Sequence, residues 1–140
     1  MKKTHVLSTL LALLSINFIF CQSKVFDNLK MNSEILDMER NYSVYLPPDY
    51  DTSSRSYPVL YLLHGLGDDH TGWVQFGEVK KIADNSILNG DATPMIIIMP
   101  DANTGYVGYI NIPSENWLYE DFFFDELMPH VESKYRIKSD

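Results

Sequence analysis

A single cysteine, Cys21, occurs in 140 residues, so no disulfide can close within one chain. Basic side chains are scarce as well. Eleven lysines and arginines stand against nineteen aspartates and glutamates, a net charge of −8. That balance argues against nucleic acid or an anionic membrane surface as a partner, because both bind through clustered positive charge. Internal repeats and low-complexity linkers are missing, which leaves one domain as the simplest organisation. The most consequential absence is a motif. No Gly-x-Ser-x-Gly occurs anywhere in these residues, so the turn that would expose a nucleophilic serine is not among them.

What is present begins with Lys2 and Lys3, an apolar stretch from Val6 to Phe20, and Cys21-Gln22. A basic start followed by a hydrophobic middle is the pattern of a secretory signal. The stretch is interrupted by Ser8, Thr9, Ser15 and Asn17 and falls short of the roughly 20 apolar residues of a bilayer span. The expectation is a signal at 1–21 and a domain at 22–140, exported to a periplasmic or extracellular location. Cleavage after Cys21 would leave 119 residues, enough for one modest core, without a thiol nucleophile. Loss of Lys2 and Lys3 would leave nine basic against nineteen acidic residues, a net of −10. A lipid on Cys21 is the alternative and the only route to a membrane contact. Phe18-Ile19-Phe20 lacks the small residues usual before a lipidated cysteine.

Along the remainder, Asn41–Leu46 is β-rich and ends at Pro47-Pro48, which cannot continue a central strand. Residues 29–36 are a weaker strand candidate expected to pair with it, and Asp49–Ser56 is a polar loop. Val59–Leu63 and Met95–Met99 are continuous apolar runs without alternation, as expected of strands buried on both faces of a mostly parallel sheet. Phe76, Val79, Ile82, Ala83 and Ile87 share one helical face, with Asn89-Gly90 as the stop. A last helix is expected over 117–135, with Phe124, Leu127, Val131 and Tyr135 at core spacing. Glu120 and Asp121 in its first turn and Lys134 and Arg136 at its end suit the helix dipole. Pro129 lacks the N–H that would bond back to Asp125, which predicts a bend.

Strands alternating with helices imply an α/β fold with right-handed crossovers, in which ligands collect at the carboxyl ends of the strands. His64-Gly65-Leu66-Gly67 follows one such end and Asp101-Ala102-Asn103 follows the other, so both candidate site loops share one rim. A His-Gly-x-Gly turn can leave backbone N–H groups aimed into a cleft, where they would stabilise a developing oxyanion. Gly65 and Gly67 would allow positive φ and close approach of a substrate, or would simply make a tight strand-to-helix turn.

A set of segments occurs here in order: Val44-Tyr45-Leu46-Pro47-Pro48, Tyr57-Pro58-Val59-Leu60-Tyr61-Leu62-Leu63-His64-Gly65, Trp73, Ile96-Ile97-Ile98-Met99-Pro100-Asp101, and Glu126-Leu127-Met128-Pro129-His130-Val131-Glu132 with Tyr135-Arg136. Over roughly residues 30–138 the chain resembles the putative-esterase family of α/β-hydrolases, which includes feruloyl and acetyl esterases, S-formylglutathione hydrolases, enterobactin esterases and mycolyltransferases. The resemblance implies an incomplete α/β-hydrolase fold: antiparallel strands, then parallel strands with crossover helices, without the nucleophile strand and all that follows it. It implies a serine carboxylic-ester hydrolase of which this is the N-terminal part, inactive alone. The backbone N–H of Leu66 would be one oxyanion donor, within the turn made by Gly65 and Gly67, and the triad residues would lie elsewhere. An acyltransferase and a non-catalytic exported binding protein are the alternatives. The expected partner is a small-molecule or carbohydrate ester, with no cofactor and no metal; the oligomeric state is left open.

Other residues that draw notice have plainer readings. His64, at the end of a buried strand, is expected to bond loop backbone through its ring nitrogens rather than act as a general base. Asp68, Asp69 and His70 beside His64 lack metal-ligand spacing and read as a solvated acidic loop. Asp101 is expected to cap a turn with Asn103. Glu115, Glu120, Asp121, Asp125 and Glu126 could suggest a glycosidase, but Glu120 and Asp121 are adjacent and cannot face each other across a sugar. Trp73, Tyr106, Tyr109 and Trp117 could line an aromatic platform, although core and rim packing accounts for them equally.

Overall fold

The computed structural model describes residues 21–102 and 108–138. Two long strands open it, β1 (Lys24–Ser33) and β2 (Met38–Leu46), joined by a turn in which Asp37 takes positive φ (50°). They pair antiparallel with an irregularity between Phe26 and Leu29. The strand expected at 29–36 thus lies earlier, because Glu34–Asp37 form the turn. Glu126 fastens that turn from a distant helix, its carboxylate accepting from the N–H groups of Glu34 (2.9 Å) and Ile35 (3.1 Å).

Strands β3 (Val59–Tyr61) and β4 (Ile96–Pro100) complete a four-stranded sheet of order β1-β2-β4-β3. β4 runs antiparallel to β2 and parallel to β3. All five residues of β4 are buried, since both of its faces are covered, as its unbroken apolar run requires. Ile96 and Ile98 join Tyr42 and Val44 in a large cluster with Trp117, Tyr119, Phe122, Leu127 and Val131. Ile97 and Met99 join Tyr45 and Val79 on the opposite face. β3 departs from expectation. It is three residues long rather than extending to Leu63, it is the edge of the sheet, and Leu60 is 41% exposed. Full burial of that run needs a neighbour on its free side. Only one bridge exists there among the described residues, Tyr57 with Ile137, and it is parallel.

The helix over 76–87 is also corrected. α1 (Gly72–Gln75) ends at Phe76, and α2 (Val79–Leu88) starts after Glu78 in a left-handed conformation (φ 47°). The break removes Phe76 from the apolar face and leaves it 81% exposed, and Ile82 is 58% exposed. Val79, Ala83 and Ile87 do face the sheet. Gly90, at φ 78°, ends the element as expected.

The last helix begins later and is less regular than expected. Trp117 and Leu118 form β6 against β5 (Asn111–Ile112), with a 3₁₀ turn (Pro113–Glu115) between them. α3 (Tyr119–Asp121) then starts under a cap supplied from β5: the Asn111 Oδ1 accepts from the N–H groups of Glu120 (2.9 Å) and Asp121 (3.3 Å). A π-helical segment (Phe122–Leu127) precedes α4 (Met128–Lys134). The irregularity expected from Pro129 takes this form. Met128 N–H bonds back five residues to Phe123, a widening that buries Phe122 and Leu127 and turns Phe124 outward to 57% exposure. Among the described residues, no helix is long and apolar enough to cross a membrane.

Candidate active site at the carboxyl ends of β3 and β4

Beyond β3 the chain leaves the sheet at Leu62, whose N–H still donates to Ile98 (2.8 Å). Main-chain groups stranded by that departure need partners, and aromatic side chains supply them. The Trp73 indole donates to the Leu63 carbonyl (3.0 Å). The Tyr109 hydroxyl accepts from the His64 N–H (2.8 Å) and donates to the His64 carbonyl (3.2 Å), standing in for a strand neighbour. Asp68 N–H closes the turn on the Gly65 carbonyl (3.2 Å). The Leu66 N–H bonds to no described residue, nor do those of Gly65 and Gly67 on either side of it, and Leu66 is 98% exposed.

Gly67 has φ 81°, where an L side chain is strained. Gly65 does not. Its φ lies outside the left-handed region, so the expectation of positive φ holds for Gly67 only. A Cβ at Gly65 would meet nothing within 4 Å, so no described atom demands glycine there.

His64 bonds backbone through both ring nitrogens, as expected. Nε2 lies 2.9 Å from the Ala102 N–H and Nδ1 lies 2.9 Å from the Gly65 carbonyl oxygen. The ring thereby ties the turn after β3 to the chain leaving β4. Asp101, 7% exposed, is the centre of a polar cluster at that end. Its carboxylate lies 3.8 Å from Arg40 Nη2, 3.8 Å from His64 Nε2 and 4.0 Å from His70 Nδ1. Its carbonyl accepts from the Arg40 guanidinium and from the Tyr119 hydroxyl (3.0 Å). Arg40 is itself 3% exposed and lies over the Trp117 and Tyr119 rings at 5.6 and 5.8 Å. The expected Asn103 half of the cap lies outside the described residues.

Two groups on the rim titrate away from their ordinary values. Asp69 accepts from the Thr71 N–H and hydroxyl, both at 2.7 Å, and these bonds hold its carboxyl below the usual range. Burial pushes the Tyr109 phenol up to about 12, so it stays a hydroxyl able both to donate and to accept.

Other candidates are dispersed. No group of three potential metal ligands gathers among the described residues. Asp68 turns back to accept from the Asp69 N–H (2.9 Å), and Asp121 pairs with the Asn111 amide (2.8 Å). Trp117 is buried with its indole on the Gly108 carbonyl (3.2 Å), Tyr109 is committed to His64, and Tyr106 lies outside the described residues. Among the described residues, Trp73, Tyr109 and Trp117 do not gather into a platform. A cavity of about 290 Å³ instead lies between Leu63, Tyr109, Ile110, Glu120, Phe123 and Phe124. Sequence reasoning missed the anchoring roles of Tyr109, Ala102 and Arg40. A rule that a strand-exit turn must satisfy its main chain signals that partners exist, but it does not say which residue 45 positions away provides them.

A mixed sheet covered on both faces by helices, with a parallel strand ending in the His64–Gly67 turn, is an arrangement of the α/β-hydrolase type. Residues 33–140 match the family described as "Putative esterase", and the chain belongs to that family. It is 32% identical over 117 residues to an endo-1,4-beta-xylanase/feruloyl esterase of Xylanibacter ruminicola, across 77% of this chain and 16% of that protein. A solved ferulic acid esterase superposes with a TM-score of 0.79 at 39% identity, covering 85% of this chain and 47% of the other. A ferulic acid esterase from Anaeromyces mucronatus, in complex with ferulic acid, superposes at 0.66 with 26% identity, covering 84% and 44%. The chain therefore spans less than half the length of each of these relatives.

Proposed function

We propose that this chain is the N-terminal part of an exported serine carboxylic-ester hydrolase acting on a small phenolic or carbohydrate-linked ester of the feruloyl type. Residues 1–21 are its export signal. Residues 22–140 form the first part of an α/β-hydrolase domain, and the nucleophile strand follows Ile137 along the free side of β3. The serine attacks the acyl carbonyl, the Leu66 N–H receives the oxyanion within the Gly65–Gly67 turn, and water releases the acyl-enzyme.

The single observation behind this reading is the contrast at the turn. Leu63, His64 and Gly65 have their carbonyls engaged, while the Leu66 N–H at the carboxyl end of β3, like those of Gly65 and Gly67, bonds to no described residue. The parallel Tyr57–Ile137 bridge supports it, because it lies beside β3 on the side where a further parallel strand would pair. Feruloyl relatives support the substrate class.

The test is to read the coding sequence past Asp140 and express the continuous protein. A Gly-x-Ser-x-Gly within about 15 residues, followed by an acid and a histidine, is expected. Methyl ferulate or p-nitrophenyl acetate should be hydrolysed. Leu66→Pro, which deletes the N–H, should lower kcat by about 10²–10³-fold. A continuous protein that lacks turnover, or one indifferent to Leu66→Pro, overturns the proposal.

A further inference from the structure

We infer that His64 is the positioning residue of the Leu66 amide, acting through the carbonyl of Gly65. Its catalytic consequence rests on the ester-hydrolase reading above; the bonding pattern itself does not.

A backbone N–H can only donate. The Ala102 N–H, 2.9 Å from Nε2, therefore requires a lone pair on Nε2, and the proton of the neutral ring sits on Nδ1. From there it points at the Gly65 carbonyl oxygen, also 2.9 Å away. That oxygen and the Leu66 N–H belong to the same planar, trans peptide unit, in which they point in opposite directions. Holding the oxygen on one side sets the direction of the hydrogen on the other. A second donor, the Asp68 N–H, reaches the same oxygen at 3.2 Å. Two donors on one carbonyl draw electron density from the peptide and strengthen its N–H as a donor.

The ring is well placed to transmit this constraint. Its side chain is 5% exposed, it lies 5.5 Å from the Tyr109 ring, and the Tyr109 hydroxyl holds both main-chain polar groups of His64. The neighbouring Asp101 carboxylate is 3.8 Å from Nε2 but also faces Arg40 and His70. A histidine with a merely structural task could bond any nearby loop group. This one bonds the carbonyl of the peptide whose N–H, that of Leu66, bonds to no described residue.

Two measurements on the continuous protein test this. Nitrogen-15 spectra of the His64 ring should show the proton on Nδ1; a proton on Nε2 overturns the inference whatever the activity. His64→Leu, assayed per site titrated with a serine-directed phosphonate, should lose roughly 10–100-fold in kcat with KM changed less than about twofold. His64→Asn, whose amide can donate to the Gly65 carbonyl, should recover part of that loss. Equal kcat for wild type and His64→Leu overturns the inference while leaving the hydrolase intact. If the wild type shows no turnover, the hydrolase reading fails and the ring proton alone decides.

Discussion

Tyr57 and Ile137 are joined as a parallel pair outside β3: the Tyr57 N–H donates to the Arg136 carbonyl at 2.8 Å, and the Lys138 N–H donates to the Tyr57 carbonyl at 2.8 Å. The chain has thus returned to the sheet beside its barest strand. One bridge leaves Val59 to Leu63 without a ladder on that side, and Leu60 and Leu63 are each 41% exposed.

Residues 22–140 expressed alone should therefore associate, because an apolar edge invites pairing with other chains. They should not hydrolyse p-nitrophenyl acetate above background. Leu60→Lys should raise the soluble monomer fraction seen by size exclusion with light scattering. Turnover that a serine-directed phosphonate abolishes would refute the expectation of inactivity.

The two glycines of the turn should separate. Gly67→Ala forces a side chain into φ 81° and should cost about 1–2 kcal/mol in urea unfolding. Gly65→Ala meets nothing within 4 Å and should leave stability within about 0.5 kcal/mol. A marked fall in kcat/KM for Gly65→Ala in the continuous protein would then report a substrate approaching the backbone there.

Arg40→Met should destabilise strongly. The guanidinium holds the Asp101 carbonyl and stands 3.8 Å from the nearly buried Asp101 carboxylate. Breaking a buried pair by removing one member costs about 3–5 kcal/mol. Restoration of wild-type stability by the double variant Arg40→Met, Asp101→Asn would show that the uncompensated charge is the cause.

Alkaline conditions should unfold the domain early. Burial pushes the phenols of Tyr61, Tyr109 and Tyr135 up to about 12 from an ordinary 10.0. Between those values the unfolded chain has released protons that the folded chain still binds, so stability falls as pH rises through that window. Below it these groups are protonated in both states and stability does not change with pH through them. Urea midpoints at about pH 9 and about pH 11 should differ, with tyrosinate absorbance appearing together with unfolding; equal midpoints would contradict this.

How far the sequence discloses this architecture depends on what each residue reports. Ile96–Met99 was legible because a strand covered on both faces has no reason to alternate. Val59–Leu63 carries the same signature, yet its second neighbour is one bridge, so sequence reports the burial the strand is built for rather than the burial it has. Phe76 misled because helical periodicity does not register the left-handed Glu78 that splits the segment, and Ile82 because it lies in α2 beside Leu60 and Leu62 at the open side of β3. Phe124 misled because the π turn before Pro129 shifts the face by one residue. At the site, the rim shared by Leu66 and Asp101 follows from strand order alone. The anchoring of His64 by Ala102 and Tyr109 depends on contacts 38 and 45 positions apart, for which no local pattern exists.

Those long contacts nevertheless all reach backward or forward within the first 109 residues. Gly65, Asp68, Trp73, Ala102 and Tyr109 all precede α3 in the chain, so each is synthesised before it. Every hydrogen bond described at this turn is therefore supplied from the N-terminal side of α3, before the last helical segments of the described residues begin.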